Sequence, residues 1–365
     1  MIKKAIITKV ENKKLCFVFE DGKLSELYHF EKSLLNNIYL CRVNNIIESI
    51  GGAFVYTDVG QGFLKLPSNN KFNIKNNDLV VAQVIKESYD SKEFTLSTTI
   101  TIKGKYVIVK YGERGVAVSS KINEDSIVDR LKKIYFSNSF DDYFILFRTE
   151  CKFADIEEIQ LEIGEIVDNL NKILNIAKYS NKPIKLFENS IDFDVIRDCE
   201  IVTDIKEIYD EIPKEFNAEI YEDDYPLVNI YGLNKEIKKL KNKRVHMKNG
   251  SNIVIEDTEA LTVIDVNSSK AVSNGKEYVD AYEINEIAAR ECVRQIKLRN
   301  ISGIILIDFL NMKKNIDNEN IINVLKKELI TDKAKSVIYG FTKLGLLEMS
   351  RSREYKNLKE YLEWK

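Results

Sequence analysis

Two short runs near the carboxyl end of the chain each end in an aspartate. The first run is residues 261–265, and the second is residues 303–308. Both are rich in β-branched residues, as are strands that are buried on both faces of a sheet. The sequence therefore predicts two buried strands, each ending where its aspartate begins.

The segment between these runs has a helical pattern. Residues 277–299 carry apolar side chains at helical spacing, and Lys297 and Arg299 lie in the last turn, where cations stabilise the helix dipole. A strand, a helix and a second strand favour a crossover with parallel strands. The carboxyl ends of parallel strands meet at one edge of the sheet, where ligand crevices usually form. Asp265 and Asp308 are therefore expected at the same edge.

Two carboxylates at one edge repel each other, so such a pair usually holds a hard cation, and Mg²⁺ is the common choice beside phosphate. Asn267 follows Asp265 by two residues and shares its face of the strand, where its neutral amide can orient a phosphate or an attacking water. Two alternatives stay open. An aspartate at a strand end often caps a helix or a turn. A phosphatase with an aspartyl nucleophile would require a second aspartate at the position of Asn267.

Three separated segments resemble the catalytic core of the ribonuclease E/G family, and they occur in the family's order: residues 244–267, 295–309 and 340–353. The resemblance implies an endoribonuclease that acts on single-stranded RNA. In the family, two aspartates hold one Mg²⁺ and an asparagine orients the chemistry. Asp265, Asp308 and Asn267 match these positions. Lys335 stands where the family often has an arginine that is thought to support catalysis.

Residues 38–66 resemble an S1 domain, a small OB-type barrel, with alternating strand positions broken by glycine turns. In such a barrel, RNA bases stack on aromatic side chains and lysines contact phosphates. The resemblance implies that Phe54 and Phe63 stack on bases and that Lys92 contacts RNA. A phenylalanine in a strand pattern is more often a core residue, and this alternative stays open for Phe54.

Residues 98–149 are similar to the family's 5′-sensor region. In that region, an arginine and a threonine bind the terminal monophosphate of the RNA, a role suited to a guanidinium and a hydroxyl donor. Arg148 and Thr149 match those positions. The next residue departs from the family pattern, because Glu150 places an anion beside the expected phosphate site.

The resemblance implies an α/β multi-domain fold. An S1 domain (OB-type β-barrel) and a 5′-sensor region are inserted into a ribonuclease H-like scaffold, and a DNase I-like α/β catalytic domain follows. The expected ribonuclease H-like parts are residues 1–34 and 191–240. The S1 domain is expected at 35–99, the sensor-like region at 100–190 and the catalytic domain at 241–365. A length of 365 residues with 44% hydrophobic content fits several packed domains.

The formal net charge is −2, so binding to RNA must depend on local patches. The densest basic run is residues 235–248, which is equally consistent with a solvated helix face. The five cysteines are scattered without a Cys-x-x-Cys pair, which indicates a reducing cytoplasm and no zinc site. No apolar run approaches the roughly 18 residues that span a membrane, so a cytoplasmic protein without a membrane partner is expected.

Two further expectations concern histidines and assembly. Nucleases that use the 2′-hydroxyl generally need histidines as acid and base, and the chain has only His29 and His246, which are expected to be surface or structural residues. Longer relatives share a zinc between two chains through a Cys-Pro-x-Cys. No cysteine follows Cys292, so a monomer or weak homodimer without a zinc link is expected.

The sequence therefore predicts a Mg²⁺-dependent endoribonuclease that hydrolyses single-stranded RNA to 3′-hydroxyl and 5′-phosphate ends, in RNA processing or decay. Stimulation by a 5′-monophosphate is expected from the sensor-like region. The alternative is a non-catalytic RNA-binding protein that keeps an S1 barrel on an inactive nuclease scaffold.

Overall fold

The computed structural model describes residues 3–66, 74–87, 93–138, 140–268, 281–312, 315–353 and 356–364. The chain forms two compact units. The first unit combines residues 1–31 with residues 191–365, and the second is the continuous segment 32–190. No helix in these described ranges is both long enough and apolar enough to cross a membrane.

The first unit begins with an antiparallel meander of β1 (Lys3–Val10), β2 (Lys13–Glu20) and β3 (Lys23–His29). The turn between β1 and β2 has positive φ at both central residues, Glu11 (51°) and Asn12 (64°). This left-handed backbone matches the twist of the two strands it joins. Both faces of β1 are buried, with Ile6 in one apolar cluster and Ile7 in another.

The second unit begins with a closed barrel. Its strands are β4 (Ile38–Ile47), β5 (Gly52–Thr57), β6 (Gly60–Lys65), β7 (Leu79–Lys86) and β8 (Phe94–Ser97). In the described part of this unit the order β4-β5-β6-β8-β7 closes on itself, because β4 pairs with both β5 and β7. Tyr39, Val55 and Leu64 lie in its interior. The expectation of an OB-like barrel is confirmed.

A second sheet and two helices complete this unit. The elements are β9 (Ile100–Lys103), β10 (Val107–Tyr111), β11 (Gly115–Val118), α1 (Asp125–Phe136), β12 (Tyr143–Phe147), α2 (Ile156–Tyr179) and β13 (Ile184–Phe187). The sheet order is β11-β12-β10-β9, and β13 returns to pair with β4. The amide of Gln83 in the barrel exchanges two 2.8 Å hydrogen bonds with the backbone of Thr101, which joins the barrel to this sheet.

The chain then returns to the first unit through β14 (Cys199–Thr203), α3 (Lys206–Glu211), β15 (Ala218–Ile220), α4 (Leu227–Ile230) and α5 (Leu233–Lys241). Strand β14 pairs in parallel with β1, and β15 pairs in parallel with β14. The resulting sheet has the order β15-β14-β1-β2-β3. Strands from both sequence segments of the first unit therefore share one sheet.

The rest of the first unit contains β16 (Arg244–His246), β17 (Asn252–Asp257), β18 (Leu261–Asn267), α6 (Ala281–Leu298), β19 (Gly303–Asp308), α7 (Asn315–Leu329), β20 (Ser336–Phe341), β21 (Leu346–Arg351) and α8 (Leu358–Tyr361). The sheet order is β16-β17-β18-β19-β21-β20. Helices α6 and α7 cover one face of this sheet.

The predicted crossover is confirmed, because α6 connects β18 to β19 and these two strands are parallel. One expectation was wrong. Strand β18 does not stop at Asp265 but continues to Asn267, since β17 remains paired with it as far as Asn252 opposite Asn267.

Helix α8 packs against the amino-terminal meander. The ring of Tyr361 stacks on His29 with a centroid distance of 3.7 Å, and its hydroxyl donates to the carbonyl of Lys14 at 3.1 Å. Burial, together with the charge of Lys356, lowers the pKa of His29 to about 3 from 6.5. His29 is therefore neutral in the folded protein at neutral pH, which agrees with a structural role.

We expect the free energy of unfolding to fall as the pH decreases from 7 to 5. In this interval unfolded His29 takes up a proton, whereas folded His29, with its lowered pKa of about 3, does not. At pH 5 the loss is up to about 2 kcal/mol, because each pH unit below the unfolded pKa contributes about 1.4 kcal/mol. The variant His29→Phe keeps a ring against Tyr361 but cannot titrate, so urea denaturation should show a smaller loss. An identical loss in both proteins would contradict this explanation.

Candidate active site

Strands β18 and β19 bring the two predicted aspartates together. Their parallel register places Asp265 directly opposite Asp308. On β18 the flanking Ile264 and Val266 lie in the core under α6 and α7, so Asp265 lies on the opposite, exposed face. Asp308 is exposed on the same face, because Ile307 is buried in that core. We call this the outer face of the sheet.

Asn267 extends the same row of outward side chains. Its side-chain Nδ2 donates to Oδ2 of Asp265 at 2.7 Å. Because the amide nitrogen is engaged with the carboxylate, the amide oxygen remains as an acceptor at this end of the strand. The three residues that were predicted to act together are thus adjacent, and the side chains of Asn267 and Asp265 are hydrogen-bonded to each other.

A buried amide holds the chain just after Asp308. Asn285 of α6 is fully buried, and its Nδ2 donates to the carbonyl of Leu310 at 2.7 Å. The backbone N–H of Leu310 donates back to Oδ1 of Asn285 at 3.0 Å. These paired bonds fix the exit of β19 against the helix. Sequence analysis did not identify Asn285, because a single polar residue in an apolar helical pattern gives no signal of its partner.

Lys335, which was predicted to support catalysis, does not lie at this edge. The residue after it, Ser336, pairs with Arg351, which pairs in turn with Gly303 at the amino end of β19. Lys335 therefore lies at the opposite edge of the sheet from Asp308, about 17 Å away for five residues of strand. The strand direction explains this position. Strands β19 and β20 begin at the same end of the sheet, so Lys335, just before β20, lies at the end opposite Asp308.

The edge that holds Lys335 has a structural arrangement of its own. Arg351 and Asp332 form a buried ion pair, with Nε 2.7 Å from Oδ2 and Nη2 2.9 Å from Oδ1. Arg351 also donates to the carbonyl of Ile301 at 2.9 Å. Breaking such a buried pair is strongly destabilising, so Arg351 and Asp332 have a structural role at this edge.

A lysine other than Lys335 lies at the edge that carries the two carboxylates. Leu346, the first residue of β21, pairs with Asp308, and the turn that leads to it contains the exposed Lys343. In this turn the backbone N–H of Gly345 donates to the carbonyl of Thr342 at 3.0 Å. A lysine next to a glycine turn has no distinctive sequence signal, so only the strand order identifies Lys343 as a neighbour of the pair.

The donor set at this edge fits a hard divalent cation. Within the described ranges no cluster of three or more His, Cys, Asp or Glu side chains has the geometry of a metal site. Two exposed carboxylates and one amide oxygen would leave further coordination positions to water and to a bound phosphate. Mg²⁺ prefers this arrangement, whereas a structural zinc requires four protein ligands.

The aromatic pair predicted to bind RNA lies on the outside of the barrel. Phe54 and Phe63 are directly opposite on β5 and β6, with ring centroids 5.7 Å apart at 70°. Both rings are half-buried, while Ala53, Val55 and Leu64 on the alternate positions face the interior. A core position for Phe54 is therefore wrong. Lys92 lies outside the described residues.

The two sensor candidates are adjacent, but both are engaged within the protein. Nη1 of Arg148 donates to the carbonyls of Gly104 at 2.5 Å and Lys105 at 2.9 Å. Its Nη2 lies 3.7 Å from the carboxylate of Glu150. The hydroxyl of Thr149 is 3.0 Å from that of Ser119.

A carboxylate already fills the anion site beside Arg148. Glu162 of α2 accepts hydrogen bonds from three consecutive backbone N–H groups, those of Lys105 (2.6 Å), Tyr106 (2.7 Å) and Val107 (3.0 Å). Consecutive N–H groups of this kind form a nest that binds anions. This contact is not predictable from the sequence, since Glu162 occupies an ordinary polar position in the pattern of an amphipathic helix.

Comparison with known proteins shows the family of this chain. Residues 101–354 match the Ribonuclease E/G family, and the chain belongs to this family. It is 28% identical to Ribonuclease G of Haemophilus influenzae, over 94% of this chain and 78% of that protein. It is 29% identical to Ribonuclease E of a Nostoc species, over 96% of this chain and 56% of that protein. Ribonuclease G of Escherichia coli strain K12 is 26% identical, over 94% of this chain.

We expect Gly52→Ala to destabilise the protein, because the ring of Phe63 lies directly over this glycine. A Cβ at position 52 would lie 2.1 Å from the Phe63 ring and 2.8 Å from the carbonyl oxygen of Leu64. Overpacking of this kind costs about 1–3 kcal/mol. Gly164→Ala on α2 is the matched control, since its Cβ would meet nothing within 4 Å. Chemical denaturation should show a loss at Gly52 only, and equal stability of the two variants would contradict the packing described.

Proposed function

We propose that this protein is a Mg²⁺-dependent endoribonuclease that hydrolyses single-stranded RNA to 3′-hydroxyl and 5′-phosphate ends. The observation that carries the proposal is the in-register pair Asp265 and Asp308, with Asn267 bonded to the first of them. Its family membership supports the same activity, because the relatives that match most of the chain are named ribonucleases.

Asp265 and Asp308 would hold the cation through their carboxylates on the outer face. When bound there, Mg²⁺ supplies positive charge to the scissile phosphate and makes the attacking water more acidic. The free amide oxygen of Asn267 would accept a hydrogen bond from that water and so orient it. Asn285 acts indirectly, because its two hydrogen bonds fix the backbone that follows Asp308.

The outer surface of the barrel would bind the RNA strand. Stacking of bases on Phe54 and Phe63 would contribute roughly 1–3 kcal/mol per base without strong sequence preference. Both rings are half-buried, so part of each ring remains accessible for this contact. In this proposal the barrel is an S1 domain and Lys92 contacts phosphate.

The finer domain assignment follows the same family pattern. Residues 1–34 and 191–240 would form a ribonuclease H-like scaffold, with the S1 domain at 35–99 and the sensor-like region at 100–190 between them. Residues 241–365 would form the DNase I-like catalytic domain. Support comes from the sheet β15-β14-β1-β2-β3, whose strands come from both sides of the continuous segment 32–190.

The protein would act in RNA processing or decay in the cytoplasm. All five cysteines are buried and free of disulfides. Burial raises the pKa of the Cys41 thiol to about 12. Burial is also the largest cause of the raised pKa of the Cys151 thiol, which is about 11. Both thiols therefore stay protonated at neutral pH. Unreactive, unpaired thiols suit a reducing compartment.

Asp265→Asn and Asp308→Asn should each abolish cleavage of a fluorescent single-stranded RNA while leaving RNA binding nearly intact. Either change removes one charged oxygen ligand of the proposed cation, whereas the stacking residues belong to the other compact unit. Cleavage and binding are measured on the same RNA. EDTA should stop the wild-type protein, and added Mg²⁺ should restore it.

Lys327→Ala is a suitable control for this experiment, since Lys327 lies exposed on α7, which packs on the covered face of the sheet. Turnover like that of the wild type in either aspartate variant would contradict the assignment. Binding of RNA without cleavage by the wild-type protein at any Mg²⁺ concentration would favour the non-catalytic alternative.

A 5′-monophosphate should accelerate cleavage by only a modest factor. Arg148 can donate to a terminal phosphate, but its guanidinium is shared with two carbonyls and faces Glu150. The measurement compares cleavage rates of otherwise identical RNAs with 5′-monophosphate and 5′-hydroxyl ends. Arg148→Gln should remove the difference, and Arg114→Gln, an exposed arginine of the same unit, should keep it. Equal rates on both RNAs with the wild-type protein would show that the sensor does not operate.

A further inference from the structure

The edge strand β16 carries two cationic or hydrogen-bonding side chains on the outer face. Val245, the central residue, packs against the core under α6 and α7. Because side chains alternate along a strand, Arg244 and His246 lie on the opposite face, and both are exposed. This is the face that carries Asp265 and Asn267.

The register places these side chains level with the catalytic candidates. Arg244 pairs with Val254, which pairs with Asp265. His246 pairs with Asn252, which pairs with Asn267 in the same way. Two strand spacings separate each pair of functional residues, which is about 9.5 Å between backbones.

Charges near β16 leave Arg244 available. The neighbouring strand has two exposed acids: Glu256 is paired with Lys243 at 3.2 Å, and Asp257 accepts a hydrogen bond from the hydroxyl of Thr262 at 2.8 Å. Among the described residues, the side chains of Arg244 and His246 have no hydrogen-bond or ion-pair partner. On some edge strands, charged residues have no role beyond preventing pairing with another sheet. The role of Arg244 therefore requires a direct test.

We propose that Arg244, with His246 beside it, forms a subsite for a backbone phosphate of single-stranded RNA, separate from the phosphate that is cleaved. The proposal rests on the endoribonuclease function proposed above and adds a second anchoring point for its substrate. A guanidinium binds phosphate through two parallel N–H donors, and an imidazole N–H adds a third.

The position relative to the carboxylates explains why a subsite is needed there. Asp265 and Asp308 repel a polyanion that crosses the strand ends. Arg244 lies on one side of this pair, and Lys343 in the turn before β21 lies on the other. An RNA strand that follows this edge therefore meets a cation on each side of the carboxylates, which offsets the repulsion and aligns the strand.

Salt dependence of RNA binding tests the subsite without turnover. The variant Asp308→Asn serves as the inactive parent, and a single-stranded RNA with a 5′-hydroxyl is the probe. Each phosphate contact contributes about 0.7 to the slope of log affinity against log salt concentration for single strands. Arg244→Ala in this parent should reduce the slope by about 0.7, Arg244→Lys should restore it because the charge remains, and Lys327→Ala should leave it unchanged.

A neutral linkage locates the contact along the RNA. Methylphosphonate is placed at one position at a time in the probe. In the parent, at least one position other than the cleaved linkage should lower the affinity, and the same substitution should have little effect in Arg244→Ala. His246→Ala should weaken binding less than Arg244→Ala does.

An unchanged salt slope in Arg244→Ala, or the same methylphosphonate pattern in both proteins, would overturn the subsite. A change in overall stability cannot imitate these results, because it does not select one linkage of the RNA. Failure of the proposed function would look different, since the wild-type protein would then cleave no single-stranded RNA, whatever the salt slope measured for Arg244→Ala.

Discussion

The parallel pairing of β18 with β19 is the constraint on which the candidate site depends. Its register sets Asp265 opposite Asp308 and leaves both on the outer face, while Ile264, Val266 and Ile307 fill the core. A shift of one residue would exchange these faces and bury a carboxylate. Helix α6 supports this register from the covered face of the sheet. Its apolar residues pack against both strands, and Asn285 is hydrogen-bonded to the segment after β19.

Local patterns were sufficient for part of the fold. The two strands, the helix between them and the barrel each have a periodicity that their own residues specify. The carboxylate pair was predictable, because a parallel crossover brings both strand ends to one edge. The position of Lys335 was not, because it depends on the direction in which β20 joins the sheet. Asn285 and Arg244 depend on pairings between segments that are distant in sequence.

In the sensor-like region, a local motif predicts which residues are adjacent but does not predict which groups they and their neighbours bind. Arg148 and Thr149 lie side by side, yet Glu162 occupies the backbone nest next to them. Gly104 is required there, since a Cβ would lie 2.5 Å from the Glu162 carboxyl group. The partners are more than fifty residues apart, so no short motif could reveal that an internal anion already satisfies this turn.

The pairing of β1 with β14 has a consequence for how the chain acquires its structure during synthesis. The meander β1–β3 leaves the ribosome before residues 32–190, and β14 emerges only after the whole of that segment. Until then one edge of β1 is open and can recruit another strand, which makes this nascent stage vulnerable to misassembly. The second unit, being continuous in sequence, can fold during this delay. The first sheet is therefore begun before the second unit is synthesised and is completed only after it.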